Sequence, residues 1–196
     1  MRRKSFSIVY MKNSFKIGHL VEDNCQSQHA PKAAHPQNKA EQLAARDTYR
    51  FRTAVSKMKG SGLVKHYELQ STRAKLVFYG DYSTYKRYVP HTSFTREHFQ
   101  HYFGSEDLIC EFLLDTSIYL FKELHFLNEI QLDIPSHGKL YTVELSRKEM
   151  DDYMKCELTE MKDGHHHRFF YIYRDQELDQ FTNQFVKVKR LRRKKL

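Results

Sequence analysis

LVKHYELQSTRAKLVFY, residues 63–79, decides the fold. Leu63–Gln70 and Ala74–Tyr79 are rich in branched and aromatic side chains, and the polar Ser71-Thr72-Arg73 separates them. Two such runs across a short polar break predict a β-hairpin. Ile130–Ile134 and Lys139–Leu145 repeat the pattern around Pro135-Ser136-His137-Gly138. Two further short strands are expected near the start of the chain, at Ser5–Met11 and Phe15–Val21, and one at Arg168–Tyr173.

Helical patterns lie between these hairpins and around them. Residues 38–59 place Ala40, Leu43, Ala44, Phe51, Ala54, Val55 and Met58 on one arc at 100° per residue, and Gly60-Ser61-Gly62 supplies a stop. Residues 80–93 are rich in tyrosine and end near Pro90, so they read as a loop. Thr92 or Ser93 then caps a short helix through Phe103, and Ser105 caps an apolar segment from Glu106 to about Asn128. Ser146-Arg147-Lys148-Glu149 fits the capping box that opens a helix to about Met161. A last helix is expected from Asp175 to about Val186. Mixed helices and hairpins without a strict β–α alternation predict an α+β fold, a single domain over 1–186 in which short hairpins pack with several amphipathic helices. A polar loop is expected at 22–37, and 187–196 is read as a basic tail.

Charge is unevenly spread over the 196 residues. Residues 1–100 hold 18 Lys/Arg against 7 Asp/Glu, residues 101–186 hold 8 against 17, and residues 187–196 hold 7 against none, within a net charge of +9. Segregation of this kind points to a polyanionic partner such as DNA or RNA for the basic parts, and to a protein partner for the acidic stretch, unless the two halves neutralise each other in the fold.

Three groups of residues fit phosphate or base contact. Lys39, Arg46, Arg50 and Lys57 form a stripe beside the apolar arc of the first helix. Tyr82 and Tyr85, between Tyr79 and Tyr88, stand among Arg73, Lys75, Lys86 and Arg87, a mixture suited to stacking unpaired bases; the alternative is that Tyr79 and Tyr88 are core. Lys189, Arg190, Arg192 and Arg193 head a run suited to phosphate binding without sequence readout.

Metal chemistry is the alternative. His165 and His167 would share one face of a strand and could hold a divalent ion, and Cys25, His29 and His35 with His19 are ligands of the right type for zinc. His98 and His101 stand three apart, next to Glu97. His165-His166-His167 resembles the His-hydrophobic-His element of rolling-circle replication and relaxase enzymes, with His166 in the apolar place, and KLVFYGDYSTYK (75–86) followed by ICEFLL (109–114) resembles the strand pairs of rolling-circle initiators of phages and plasmids. The enzyme reading is a metal-dependent nuclease or nicking enzyme that uses the histidines, an acidic residue and Tyr82 or Tyr85. No acidic or tyrosine partner stands at a matching position, nor does the lysine expected beside the tyrosine.

Phosphate-binding Walker loops, dinucleotide glycine motifs, GxSxG, HExxH and CxxC are all absent from the sequence. No cofactor is expected. Cys25, Cys110 and Cys156 are odd in number and widely separated, which fits a reducing compartment better than a disulfide framework. No run approaches the ~20 apolar residues of a spanning helix. The expectation is therefore an intracellular, basic, nucleic-acid-binding protein of a replication, mobilisation or ribonucleoprotein complex. A metal-dependent nuclease and a non-enzymatic assembly component docking through 101–186 are the alternatives.

Overall fold

A computed structural model describes residues 39–161 and 177–191. These belong to the unit Pro36–Leu196. The predicted strands at 5–11, 15–21 and 168–173, and the polar loop at 22–37, lie outside the described residues. The fold is α+β, as the sequence predicts. Helix α1 (Lys39–Lys57) and a 3₁₀ turn lead into β1 (Val64–Gln70) and β2 (Arg73–Phe78). The helices α2 (Tyr82–Tyr88), α3 (Arg96–Phe103) and α4 (Glu106–Glu123) carry the chain to β3 (Glu129–Ser136), β4 (Lys139–Ser146) and α5 (Arg147–Met154). Residues 177–185 are helical (α6) and run into β5 (Val186–Arg190).

The sheet order is β1-β2-β3-β4-β5. β2 and β3 are parallel, with Ala74 opposite Ile130 and Leu76 opposite Leu132, and the other neighbours are antiparallel. Both predicted hairpins form, their ends within two residues of expectation. The β3–β4 turn has His137 and Gly138 both at positive φ, 50° and 73°. That pair matches a two-residue hairpin turn whose twist follows the strands.

Alternation gives the sheet two unlike faces. Ala74, Leu76 and Phe78, then Ile130, Leu132 and Ile134, then Tyr141, Val143 and Leu145 share the apolar face, and all are buried. α4 covers them, with Phe112 edge-on to Phe78 at 5.1 Å. Ten of the 18 residues of α4 are buried, so it is the central helix of the core, apolar around much of its girth. Ser117, buried on it, donates its hydroxyl to Leu113 O.

Four local expectations change. The loop read over 80–93 contains α2, because Asp81 accepts the Thr84 N–H as an N-cap and Tyr85 sinks into the core at 1% exposure. α3 is capped by Thr95, not Thr92 or Ser93; the Thr92 hydroxyl is taken up by Tyr85 Oη and the Phe94 N–H. α4 starts at the predicted Ser105 cap but stops at Glu123, since Arg147 holds the carbonyls of Leu124 and Leu127 in a turn. α5 opens with the predicted Ser146/Glu149 capping box and stops at Met154, where Lys155 turns left-handed at φ 54°.

The stretch Lys187–Arg190, expected within the tail, is strand β5 paired to β4; Tyr141 stands opposite Val188 and Val143 opposite Val186, so the alternating valines lie on the apolar side of the sheet, Val186 partly buried and Val188 exposed. Ala40, Leu43 and Ala44, expected in the apolar arc of α1, are exposed, whereas Phe51, Ala54, Val55 and Met58 are buried. Only the second half of that helix packs on the core.

Gly80 follows β2 where it abuts β3. A Cβ there would stand 1.1 Å from the Pro135 carbonyl oxygen, whereas one on Gly62 would meet nothing within 4 Å. Gly80→Ala is expected to lower the unfolding free energy by about 3 kcal/mol, against roughly 0.5 kcal/mol or less for Gly62→Ala, as read in urea titrations.

Tyr119 gives a second test. Its hydroxyl donates to Ala54 O at 3.1 Å, tying α4 to α1, and burial, with Glu123 nearby, raises its pKa to about 12. A phenol whose folded pKa exceeds its unfolded value of ~10 contributes stability below that pH and loses it as pH rises through the folded value. Tyr119→Phe is expected to cost about 1 kcal/mol at neutral pH and to flatten the fall in stability above pH ~10.

Candidate nucleic-acid interface

The cations split into two classes, and the sheet makes the split. Its second face carries Arg73 and Lys75 from β2, Glu129, Gln131 and Asp133 from β3, Thr142 and Glu144 from β4, and Lys187 from β5. Strand pairing places these side chains in rows. Arg73 reaches Glu129 at 3.7 Å and Glu144 at 3.5 Å, Lys75 reaches Asp133 at 3.4 Å, and Lys187 reaches Glu144 at 3.2 Å. Asp133, buried at 8% exposure, also accepts from Gln131 at 3.0 Å and Thr142 at 2.9 Å. Arg73 and Lys75, both expected at a phosphate contact, are thus engaged by carboxylates of the acidic stretch. Lys59 does the same with Asp115 at 3.4 Å. Several cations of the first hundred residues are therefore neutralised inside the fold.

The α1 stripe is different. Lys39, Arg46, Arg50 and Lys57 are all exposed. Arg46 lies 3.6 Å from its neighbour Asp47. Among the described residues, Lys39, Arg50 and Lys57 have no carboxylate within ion-pair distance. Tyr49, on the same helix, is 72% exposed. The stripe exists because Phe51, Ala54, Val55 and Met58 pin one side of the helix to the core, with Phe51 edge-on to Tyr67 at 5.7 Å, so residues about a quarter-turn away face outward.

Helical phase also sorts the tyrosines. Tyr79 and Tyr85 are buried, their rings 5.4 Å apart, and Tyr85 also meets Phe94 and Phe99. Tyr85 is therefore core, not a free stacking surface. Tyr82 is half-buried beneath the Arg96 guanidinium, 5.7 Å from its ring centre. Tyr88, expected in the core, is 65% exposed, beside the exposed Lys86 and Arg87. Asp81 ahead of an uninterrupted run was the sequence signal for this helix, and with it the phase separating Tyr85 from Tyr88.

Lys189 and Arg190 are exposed on β5, on opposite faces of the strand. Arg192, Arg193, His165 and His167 lie outside the described residues, as do Cys25, His29, His35 and His19. His98 has a structural role: its Nδ1 accepts the Thr95 N–H at 3.2 Å, and the Thr95 hydroxyl accepts its own N–H, closing a capping box. ICEFLL, which the rolling-circle resemblance makes a strand, lies inside helix α4. Among the described residues no three His, Cys, Asp or Glu side chains are grouped to hold a metal ion. No described helix is long and apolar enough to cross a membrane.

At the upper edge of the sheet, where β2 and β3 both end, lies a cleft of about 330 Å³. Asp81 and Thr84 form one side of it, and Ser136 and His137 the other. Burial pushes the Asp81 carboxyl up, but hydrogen bonds from Ser83 and Thr84 outweigh this and leave it below the ordinary carboxylate value. His137 Nε2 faces Phe103 O at 3.0 Å, so a neutral ring donates from that nitrogen. The chain matches no known family, no curated protein and no solved structure.

Proposed function

We propose that this protein binds nucleic acid, chiefly through phosphate contacts made by the exposed stripe of α1. The observation that carries this reading is the contrast between the sheet and that helix. Arg73, Lys75 and Lys187 on the sheet face lie within 3.2–3.7 Å of carboxylates, whereas Lys39, Arg50 and Lys57 have no such partner among the described residues. Paired charges gain little from a phosphate, because binding it means giving up a partner. Unpaired ones release counterions and add directly to affinity.

The stripe recurs at the spacing of helical turns, so α1 presents a row of cations to a backbone of regularly spaced phosphates. Lys86 and Arg87 on α2, Lys189 and Arg190 on β5, and the continuation through Arg192 and Arg193 supply further cations. Tyr88 and Tyr49 are the exposed rings available for stacking. A replication, mobilisation or ribonucleoprotein setting fits such a module, and an intracellular location goes with it.

The test is affinity for single-stranded DNA, duplex DNA and RNA as a function of salt. A steep fall of log affinity with log salt is expected. Replacing Arg46, Arg50 and Lys57 together by Ala, a good helix former, is expected to reduce that slope by roughly 2. Arg73→Ala is expected to leave the slope unchanged. A slope near zero in the parent protein, or an equal loss from Arg73→Ala, would overturn the proposal.

A further inference from the structure

The cleft at the sheet's upper edge follows from the parallel pair. Parallel strands deliver both their exits to one edge of the sheet. Here the exits meet at the floor, Gly80 lying against the Pro135 carbonyl so closely that no side chain fits. They then part, one into α2 and the other into the His137–Gly138 turn, and the gap between them is the cleft. Lys65 of β1 stands on one rim. Leu191 stands on another, where its N–H donates to Gly138 O at 2.8 Å, and from there the basic run continues to Arg192 and Arg193.

The lining is chemically mixed. Phe78, Tyr79, Pro135 and Leu191 give it apolar surface. Asp81 is an ionised acceptor. The Ser83 hydroxyl and the Thr84 N–H donate to its Oδ1, the Ser83 N–H and the Thr84 hydroxyl also stabilise the carboxylate, and its acceptor sites are spread over both oxygens. With Nε2 of His137 donating to Phe103, the Nδ1 of a neutral ring is also an acceptor. A partly apolar gap with two acceptors suits a flat heterocycle that carries N–H donors. Its surroundings suit a strand: the exposed ring of Tyr88 lies 6.1 Å from that of Tyr79 in the cleft wall, and Lys86 and Arg87 share α2 with Tyr88.

We propose that the cleft takes one base splayed out of a bound single strand, a base with adjacent N–H donors such as guanine, which the Asp81 carboxylate reads. Tyr88 stacks on the neighbouring base, and Lys65, Lys86 and Arg87 face the phosphates. This rests on the nucleic-acid reading and adds a base preference to it.

The experiment compares the full chain binding to oligothymidylate that carries one central dG with binding to the same strand carrying one dA. The dG strand is expected to bind about tenfold more tightly. Asp81→Asn keeps the capping oxygen, since Asn caps as well as Asp, but turns the other acceptor into a donor. It is expected to abolish the dG preference while the unfolding midpoint holds and plain oligothymidylate binds at least as tightly as to the parent protein. Tyr88→Ala is expected to weaken all strands about tenfold without changing the preference. Salt-steep binding with equal affinity for dG and dA, or a preference that survives Asp81→Asn, would overturn the base site and leave the nucleic-acid reading standing. If no strand binds, guanosine monophosphate alone decides. Its capture, abolished by Asp81→Asn, would keep a guanine site and remove the strand; failure to bind it would overturn both.

Discussion

The parallel pairing of β2 with β3 is the constraint on which the rest of this fold depends. Antiparallel neighbours can be joined by two residues, but parallel ones require the chain to travel back along the sheet. Here that return is made by α2, α3 and α4, and its last helix crosses the sheet's apolar face, where much of its surface is buried. The aromatic residues from Phe78 to Phe112 pack ring against ring at 5.1–6.5 Å, mostly edge-on, and hold the two short helices onto the long one. The same pairing brings both strand exits to one edge, so the helical layer and the cleft are consequences of a single topological choice.

Local structure was largely legible in the sequence because its causes are local. The alternation in Leu63–Tyr79 and Ile130–Leu145 marked both hairpins, and the caps at Ser105 and Ser146 lie where the side-chain chemistry indicates. The dense apolar run after Ser105 fits strands as well as a helix by periodicity, and its cap and the crossover it completes resolve the ambiguity. The tyrosine segment was misread for a comparable reason. Its aromatics and nearby Pro90 resemble loop composition, while the information that mattered was the Asp81 cap and the phase it starts. Once 82–88 is helical, the burial of Tyr85 and exposure of Tyr88 follow from rotation about the axis.

Tertiary partners were not legible. Arg73 and Lys75 sit in a basic half of the chain, and by composition alone they belong with Arg50 and Lys57. They differ because β2 pairs with β3, and β4 with β3, which brings Glu129, Asp133 and Glu144 alongside. The exposed pairs of Arg73 with Glu129 and Glu144 are each worth only ~0–1 kcal/mol, so they contribute little to stability. Their larger effect is on the electrostatic field, since they remove charge from one surface and leave the surplus elsewhere.

The surplus is displaced to α1, to α2 and to the end of β5. α2 begins at the cleft wall, and β5 ends at the cleft rim, where Leu191 meets Gly138. On the proposed reading, a polyanion drawn to these cations would meet the cleft and its ionised Asp81. A carboxylate repels phosphate, so Asp81 would weaken the binding unless it contacted something other than phosphate. Placed among surplus cations, it would, on the proposed reading, favour the N–H edge of a base over the backbone. On that reading, the same geometry that would concentrate a strand non-specifically also offers a position at which base identity has an energetic consequence.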